Sequence, residues 1–477
     1  MPPTSSTPDA YDVIVLGAGA AGENVAGVAA SHGLDVAIVE HALVGGECSY
    51  WACIPSKVLL RPVELRQATM RAAGVEESEI DARAVLARRD EVVGEWDDTS
   101  QVEWLDSVDV TLLRGHGRLT GERAITVERE DGSVDRYLAR KAVVVATGSS
   151  ASVPSIEGIA DARPWTSRDA TSAGAVPERL VVIGGGVVGV EMAQAWRSLG
   201  SREVTIIQIA DSLLAAEEPE AAAEVEQALT DSGVVVHTNA TTKAVERPRA
   251  DGPVTVRFST DEGTIEIEAD EVLVATGRKP NTMNVGVETV GLEPGATIEV
   301  DDHMRAVAVG GGWLYAVGDV NGRALLTHIG KYQARVAGAH LAGLDARATA
   351  DQRAIPRVVF TTPRLAAVGR TESQAREAGI DVRTVSFDIA DIGATATMGL
   401  GYQGTCKLVI DAARHVIVGA TFVGPSAGEL LHSATIAIVG EVPLSTLWHA
   451  IPSFPTLSEV WLRLLEGYQT EYGHQFL

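Results

Sequence analysis

Tyr11–Glu40 reads YDVIVLGAGAAGENVAGVAASHGLDVAIVE: an apolar strand, a glycine turn, an alanine-rich helix and a second strand ending in an acid. Leu180–Gln208, LVVIGGGVVGVEMAQAWRSLGSREVTIIQ, repeats that layout. Each holds G-x-G-x-x-G after a strand and at the start of a helix, with Gly17, Gly19 and Gly22 in the first copy and Gly184, Gly186 and Gly189 in the second. The first glycine permits a tight turn and the second lets backbone approach a pyrophosphate. The third brings helix and strand close, while the helix N-terminus supplies amides and a positive dipole. One such pattern is weak evidence. Two in the same strand–turn–helix context predict two dinucleotide sites.

Working outward, Lys141–Gly148 (KAVVVATG) and Glu271–Gly277 (EVLVATG) read as strands ending in a shared turn, each closing one βαβ domain. After YAVGDV, Tyr315–Val320, a helix is expected through about Leu341. From Pro356 alternating apolar strands mix with helices, which reads as an antiparallel α+β section. The fold class is α/β: two Rossmann-like domains and a C-terminal α+β domain. The 477 residues suit about three domains at ~150 residues each. The first ten residues, MPPTSSTPDA, read as a short tail with no secretory signal, so a cytoplasmic protein is expected.

The formal net charge is −25, from 64 acidic and 39 basic residues, which disfavours nucleic acid and phospholipid surfaces as partners. No apolar run is long enough to span a membrane. Three cysteines are too few to staple a secreted scaffold of this size. Cys406, in the apolar run GTCKLVID, reads as an inert buried thiol. The other two lie in GGECSYWACIPSK, residues 45–57. Cys48 and Cys53 would share roughly one face of a helix, within reach of a disulfide. A helix N-terminus would lower a thiol pKa. Pro55 should bend that helix, and Lys57 follows one turn on from Cys53. No metal site is expected.

With GGEC…CIPSK, the ATG turns at Thr147–Gly148 and Thr276–Gly277, ATGRKPN at Ala275–Asn281, YAVGDV, PRVVFTTP after Ile355 and FPTLSE at Phe454–Glu459, the chain resembles the pyridine nucleotide–disulfide oxidoreductases. The resemblance runs from Tyr11 to about Gly467. It implies FAD in the first site and a nicotinamide nucleotide, NAD(P)H, in the second. The implied domains are 1–152 with 282–351 for FAD, 153–281 for NAD(P), and 352–477 for dimerisation. It implies that Glu40 holds the adenosine ribose and Asp319 the ribitol chain. Gly46, Gly117, Thr147, Gly148, Thr327 and Arg278 would line the FAD site. Gln208 and Gly277 would belong to the second site. Lys57 and Glu191 would meet beside the flavin. Cys48 would be the interchange thiol and Cys53 the thiol nearer the flavin. A homodimer acting on a small molecule is implied.

Several positions depart from that pattern. The family's His-Pro-Thr-x-x-Glu is here Phe454-Pro455-Thr456-Leu457-Ser458-Glu459, so the acid–base histidine is a phenylalanine. Positioned acid–base groups contribute ~10²–10⁴-fold, so slow turnover of alkyl disulfides is expected. Phe454 should also desolvate Glu459 and favour its neutral form, making that acid a possible donor. His449 is not an assumed substitute. Gln208 stands where a carboxylate would favour NAD, with no arginine nearby, which leaves NAD and NADP open. Glu47 replaces a threonine and should raise the Cys48 pKa. Tyr50 and Trp51 bring bulky aromatics between the cysteines, where they would pack locally, narrow the disulfide's surroundings or stack on a planar substrate. The final stretch GYQTEYGHQFL carries no cysteine pair, which disfavours mercury reduction. The favoured expectation is NAD(P)H-dependent reduction of a disulfide or related sulfur substrate, as in dihydrolipoamide dehydrogenase. Reduction of a quinone or another electrophile, 2-ketopropyl-coenzyme M carboxylase-like chemistry, and a non-catalytic flavoprotein subunit are the alternatives.

Overall fold

The computed structural model describes residues 9–77, 79–250, 252–473 and 475–476. The chain forms two compact units: Met1–Pro55, Asp90–Ser152 and Arg278–Gln352, and Ser56–Arg89, Val153–Gly277 and Arg353–Leu477. Residues 1–8 of the expected tail lie outside the described residues; Asp9 and Ala10 instead open the strand Asp9–Leu16, paired with Tyr137 and Leu138.

In the first unit a mixed sheet runs Val110–Arg114, Val36–Glu40, Asp9–Leu16, Val134–Val145, Ala124–Glu128, His116–Gly121. The first four strands pair in parallel and the last three form an antiparallel meander. Leu314–Ala316 adds in parallel beside Val134–Val145. That strand starts seven residues earlier than KAVVVATG suggests, because its polar N-terminal half pairs with Ala124–Glu128. Val36–Glu40 is buried at every position, as expected for a strand covered on both faces. The helices Ala20–Ser31 and Thr327–Leu341 pack together through small residues, Gly330 against Ala21 and Gly338 against Val28.

The second unit repeats the nucleotide-binding layout. Its four parallel strands run Val234–His237, Glu203–Ile207, Arg179–Ile183, Glu271–Val274. Two further sheets are antiparallel. One is Thr241–Glu246, Val254–Thr260, Gly263–Ala269; the other is Pro356–Val359, Arg364–Gly369, Val416–Gly424, Thr405–Asp411, Val382–Asp388. Cys406 is fully buried in the larger one, and burial pushes its pKa up.

The two glycine turns agree closely. Gly17 has φ +99° and Gly184 φ +109°, and a Cβ there would stand 2.6 Å from Ala146 O or 2.5 Å from Ala275 O. A Cβ on Gly22 would lie 1.9 Å from Gly17 O, and one on Gly189 2.0 Å from Gly184 O. No substituent fits between each helix and its turn. Among the described residues no helix is long and apolar enough to cross a membrane. Gly22→Ala must push the helix Ala20–Ser31 off its turn, lowering stability by about 1–3 kcal/mol as overpacking does. A lower thermal midpoint by circular dichroism is the expected reading, and an unchanged one would refute it.

Candidate active site

In the first unit, Gly19 caps the helix Ala20–Ser31 without any side-chain bond, leaving the first-turn amides available to an anion. Glu40 closes the same turn: Oε2 accepts from Ala18 N at 2.8 Å and Oε1 from Ala42 N at 2.7 Å. Burial pushes the Glu40 pKa up, but His41 and these two amides outweigh it and hold the carboxyl below its ordinary value. Each oxygen keeps a lone pair for a ribose hydroxyl. Around this turn lie Gly46, Gly117 in the strand His116–Gly121, and Gly148, where a Cβ would meet nothing within 4 Å. An uncapped helix end, an ionised acid and this open backbone fit the diphosphate and ribose of a dinucleotide.

Asp319 lies beyond Leu314–Ala316. Its Oδ2 accepts from Ser149 Oγ at 2.5 Å and stands 3.8 Å from Arg278 Nε. Arg278 donates to Ser149 Oγ at 2.7 Å and Ser149 O at 2.6 Å, and reaches within 4.0 Å of Glu47. Thr147 turns its hydroxyl to Asn281 O at 2.8 Å, closing the two ATG-type segments on each other. Gln333 holds the Asp319 turn by accepting from Gly318 N at 2.9 Å.

The cysteines do not share one helix. Cys48 lies in the short helix Gly46–Tyr50, and Cys53 opens the next, Cys53–Arg71. The chain breaks at Trp51, where φ is −136°, because Tyr50 is buried and its hydroxyl donates to Asp97 O at 3.3 Å. Tyr50 is therefore core, packed on a half-buried Trp51. Pro55 falls in the first turn of its helix, where the missing N–H needs no partner and causes no bend. Both thiols are half-buried and free, and Cys53 Sγ lies 3.3 Å from Thr327 Oγ1. The Cys48 thiol is pushed up, against the helix-terminus expectation, first by its hydrogen bond with the Cys53 sulfur and then by burial; Thr327 and Lys331 oppose this. Glu47, beside Arg278, does not figure among the causes.

In the second unit, Gly186 caps the helix Val187–Leu199, again without a side-chain bond. Gln208 takes the place of Glu40: Oε1 accepts from Gly185 N at 3.0 Å, but Nε2 donates to Ser212 O at 3.2 Å. At Gly186 and Gly277 a Cβ would meet nothing within 4 Å. Lys57 Nζ donates to Glu191 Oε2 at 2.8 Å, and Glu191 is only 3% exposed. The other oxygen accepts from Phe360 N at 2.9 Å. Separating such a buried pair costs about 3–5 kcal/mol. Phe454 is 76% exposed, with its ring against Gly393. Glu459 opens the final helix and is buried, but its charge is met by Arg463 at 2.6 Å rather than left to desolvation by Phe454. Its Oε2 has no hydrogen-bond partner. His449 is exposed. Among the described residues no cluster of three or more His, Cys, Asp or Glu could hold a metal.

Ser149, Gln333, Phe360 and Arg463 were not singled out by sequence reasoning. The i, i+4 spacing of Glu459 and Arg463 was the one local signal available. The others depend on chain segments far apart in sequence.

Two glycine turns and an adjacent pair of thiols define a dinucleotide-dependent redox enzyme. Residues 11–345 match the pyridine nucleotide-disulphide oxidoreductase family, and residues 355–464 match the dimerisation domain of pyridine nucleotide-disulphide oxidoreductases. Dihydrolipoyl dehydrogenase of Thermus scotoductus is 36% identical over 97% of this chain and 98% of its own. Mercuric reductase of Staphylococcus aureus is 30% identical over 94% of this chain and 81% of its own. Among solved structures, the HOCl-induced flavoprotein disulfide reductase RclA from Escherichia coli superposes with a TM-score of 0.82 at 26% identity, covering 96% of this chain and 99% of that one. The chain belongs to the pyridine nucleotide-disulphide oxidoreductases, FAD-containing enzymes that use NAD(P)H.

One buried acid answers to pH. Glu23, in the first turn of the helix Ala20–Ser31, has its pKa raised from 4.5 to about 7, by burial first; Lys331 opposes and Glu40 adds to it. The folded state thus binds this proton more tightly than the unfolded chain. Its cost to stability sets in as pH rises above the unfolded value and is complete above the folded one. At ~1.4 kcal/mol per pKa unit this amounts to at most roughly 3 kcal/mol. Glu23→Gln should therefore be more stable than the native holoenzyme at pH ~8 and match it at pH ~4. Thermal midpoints measured across that range check it, and a gain confined to acid would reverse the assignment.

Proposed function

We propose that this enzyme uses NAD(P)H to reduce a disulfide or related sulfur substrate, with a layout like dihydrolipoyl dehydrogenase but without a histidine proton donor. The observation that carries this reading is the pairing of Cys48 and Cys53, hydrogen-bonded in one pocket with Thr327 against Cys53. The FAD domain is taken as 1–152 with 282–351, the NAD(P) domain as 153–281, and 352–477 as the dimerisation domain of a homodimer. Gly17, Gly19, Gly22, Glu40, Gly46, Gly117, Thr147, Gly148, Arg278, Asp319 and Thr327 would hold FAD. Gly184, Gly186, Gly189, Gln208 and Gly277 would hold the nicotinamide nucleotide.

FAD, when bound, supplies the two-electron link between NAD(P)H and the Cys48–Cys53 pair. The chain's residues do the rest. Lys57, fixed by Glu191, presents a positive charge beside the flavin position. Cys48 as thiolate attacks one substrate sulfur and forms a mixed disulfide, expelling the other as a thiolate. Cys53 then attacks Cys48, releasing the second substrate thiolate and closing the Cys48–Cys53 disulfide. The two leaving thiolates need two protons. Phe454 has none to give and Glu459 is held by Arg463, so water is the donor and release is slow.

Phe454 also favours a second reading, delivery of electrons to a quinone or another electrophile, where protonating a leaving thiolate matters less. Lipoamide, glutathione disulfide and a quinone assayed side by side separate the two. For the first reading, Phe454→His should raise turnover of a simple disulfide about tenfold or more, within the span of general acid catalysis. The introduced ring would also give Glu459 Oε2 a donor. Unchanged disulfide turnover, in protein that retains FAD, would sink this account of the site. Cys48→Ser should abolish disulfide reduction while the flavin remains reducible by NAD(P)H in anaerobic titration.

A further inference from the structure

Phe360 touches both members of the Lys57–Glu191 pair. Its N–H donates to Glu191 Oε1 at 2.9 Å, and the Lys57 ammonium stands 4.5 Å from its ring centroid. With Lys57 donating to Glu191 Oε2 at 2.8 Å, both carboxylate oxygens are engaged and the ammonium has two fixed neighbours, an anion and a ring face. A second cation, Arg364, lies 5.4 Å from the same ring, but Glu64 draws it away at 2.8 Å. Arg364 therefore does not compete for Glu191.

The backbone under the ring is fixed separately. Gln194, one turn beyond Glu191 on the helix Val187–Leu199, is buried; it accepts from Thr362 N at 2.8 Å and donates to Thr362 O at 3.0 Å. Glu191 and Gln194 together grip residues 360–362 as a short ladder. A change confined to the Phe360 ring thus leaves its amide on Glu191 and alters only what the ammonium meets.

We propose that Phe360 is a positioning residue for electron transfer: its ring face orients the Lys57 ammonium, so that the one N–H direction left over points consistently at the flavin. This rests on the reading that Lys57 and Glu191 lie beside the flavin, and it goes further by assigning the ammonium's orientation to an aromatic face. A ring face attracts a cation through its quadrupole, which ring fluorination weakens without changing shape.

The test uses the FAD-loaded enzyme mixed anaerobically with NAD(P)H, following loss of flavin absorbance together with the position of the oxidised flavin band. Replacing Phe360 with trifluorinated phenylalanine, or Phe360→Leu, should slow flavin reduction about threefold to thirtyfold, the span of a cation–π contact. The half-saturating coenzyme concentration should stay unchanged. Phe360→Tyr keeps the ring face and should stay within about twofold of native. The fluorinated side chain is nearly isosteric, so it carries the test if Phe360→Leu fails to fold. If Lys57→Met slows reduction and fluorination does not, the role of the ring is overturned while the site reading stands. If Lys57→Met leaves both rate and flavin band unchanged, the site reading itself falls, and this inference falls with it.

Discussion

The closest constraint in the molecule is steric: each nucleotide-binding helix rests on the carbonyl of the glycine that turns the chain toward it. With less than 2.1 Å between that oxygen and any Cβ at Gly22 or Gly189, only hydrogen fits. This approach brings an uncapped helix terminus over the end of the parallel strands, where the amides and the dipole converge. Glu40 and Gln208 are then placed by the same geometry, since each accepts a hydrogen bond from a backbone N–H inside its turn.

Around these frames the redox residues are held by bonds that reach far along the chain. Tyr50, anchored on Asp97, interrupts the helix between the thiols and lets Cys53 begin a new one facing Thr327. In the second unit, Glu191 collects Lys57 and the Phe360 amide. Charge is met locally throughout. Lys407 is the extreme case, buried against Glu218, Glu220 and Glu372 at 2.7–3.0 Å. A chain with a net charge of −25 tolerates so many buried acids because each has a cation or an amide within reach.

The sequence made local features readable. The two glycine turns, the helix ending at Leu341 and the antiparallel C-terminal section follow from patterns a few residues long. The break between Cys48 and Cys53 was hidden, because their spacing also suits a continuous helix and the deciding contact is with Asp97. The Glu459–Arg463 pair was within reach of helical spacing. Ser149, Gln333 and Phe360 were not, since their partners lie many residues away and nothing in their own neighbourhoods marks them. Glu47 shows the opposite failure: read alone, it should disturb its neighbour Cys48, yet Arg278 stands beside it.

The two copies of the glycine turn differ most where each closing strand ends. Glu40 meets its ligand with two ionised oxygens, each with a lone pair to offer. Gln208 offers a neutral amide, with its nitrogen already committed to Ser212. On the proposed assignment of the two sites, that single exchange separates a tenant from a visitor. The first turn is built for long residence, so its nucleotide stays with the protein through many cycles. The second is built for departure, which a coenzyme must do once per cycle if the enzyme is to turn over at all.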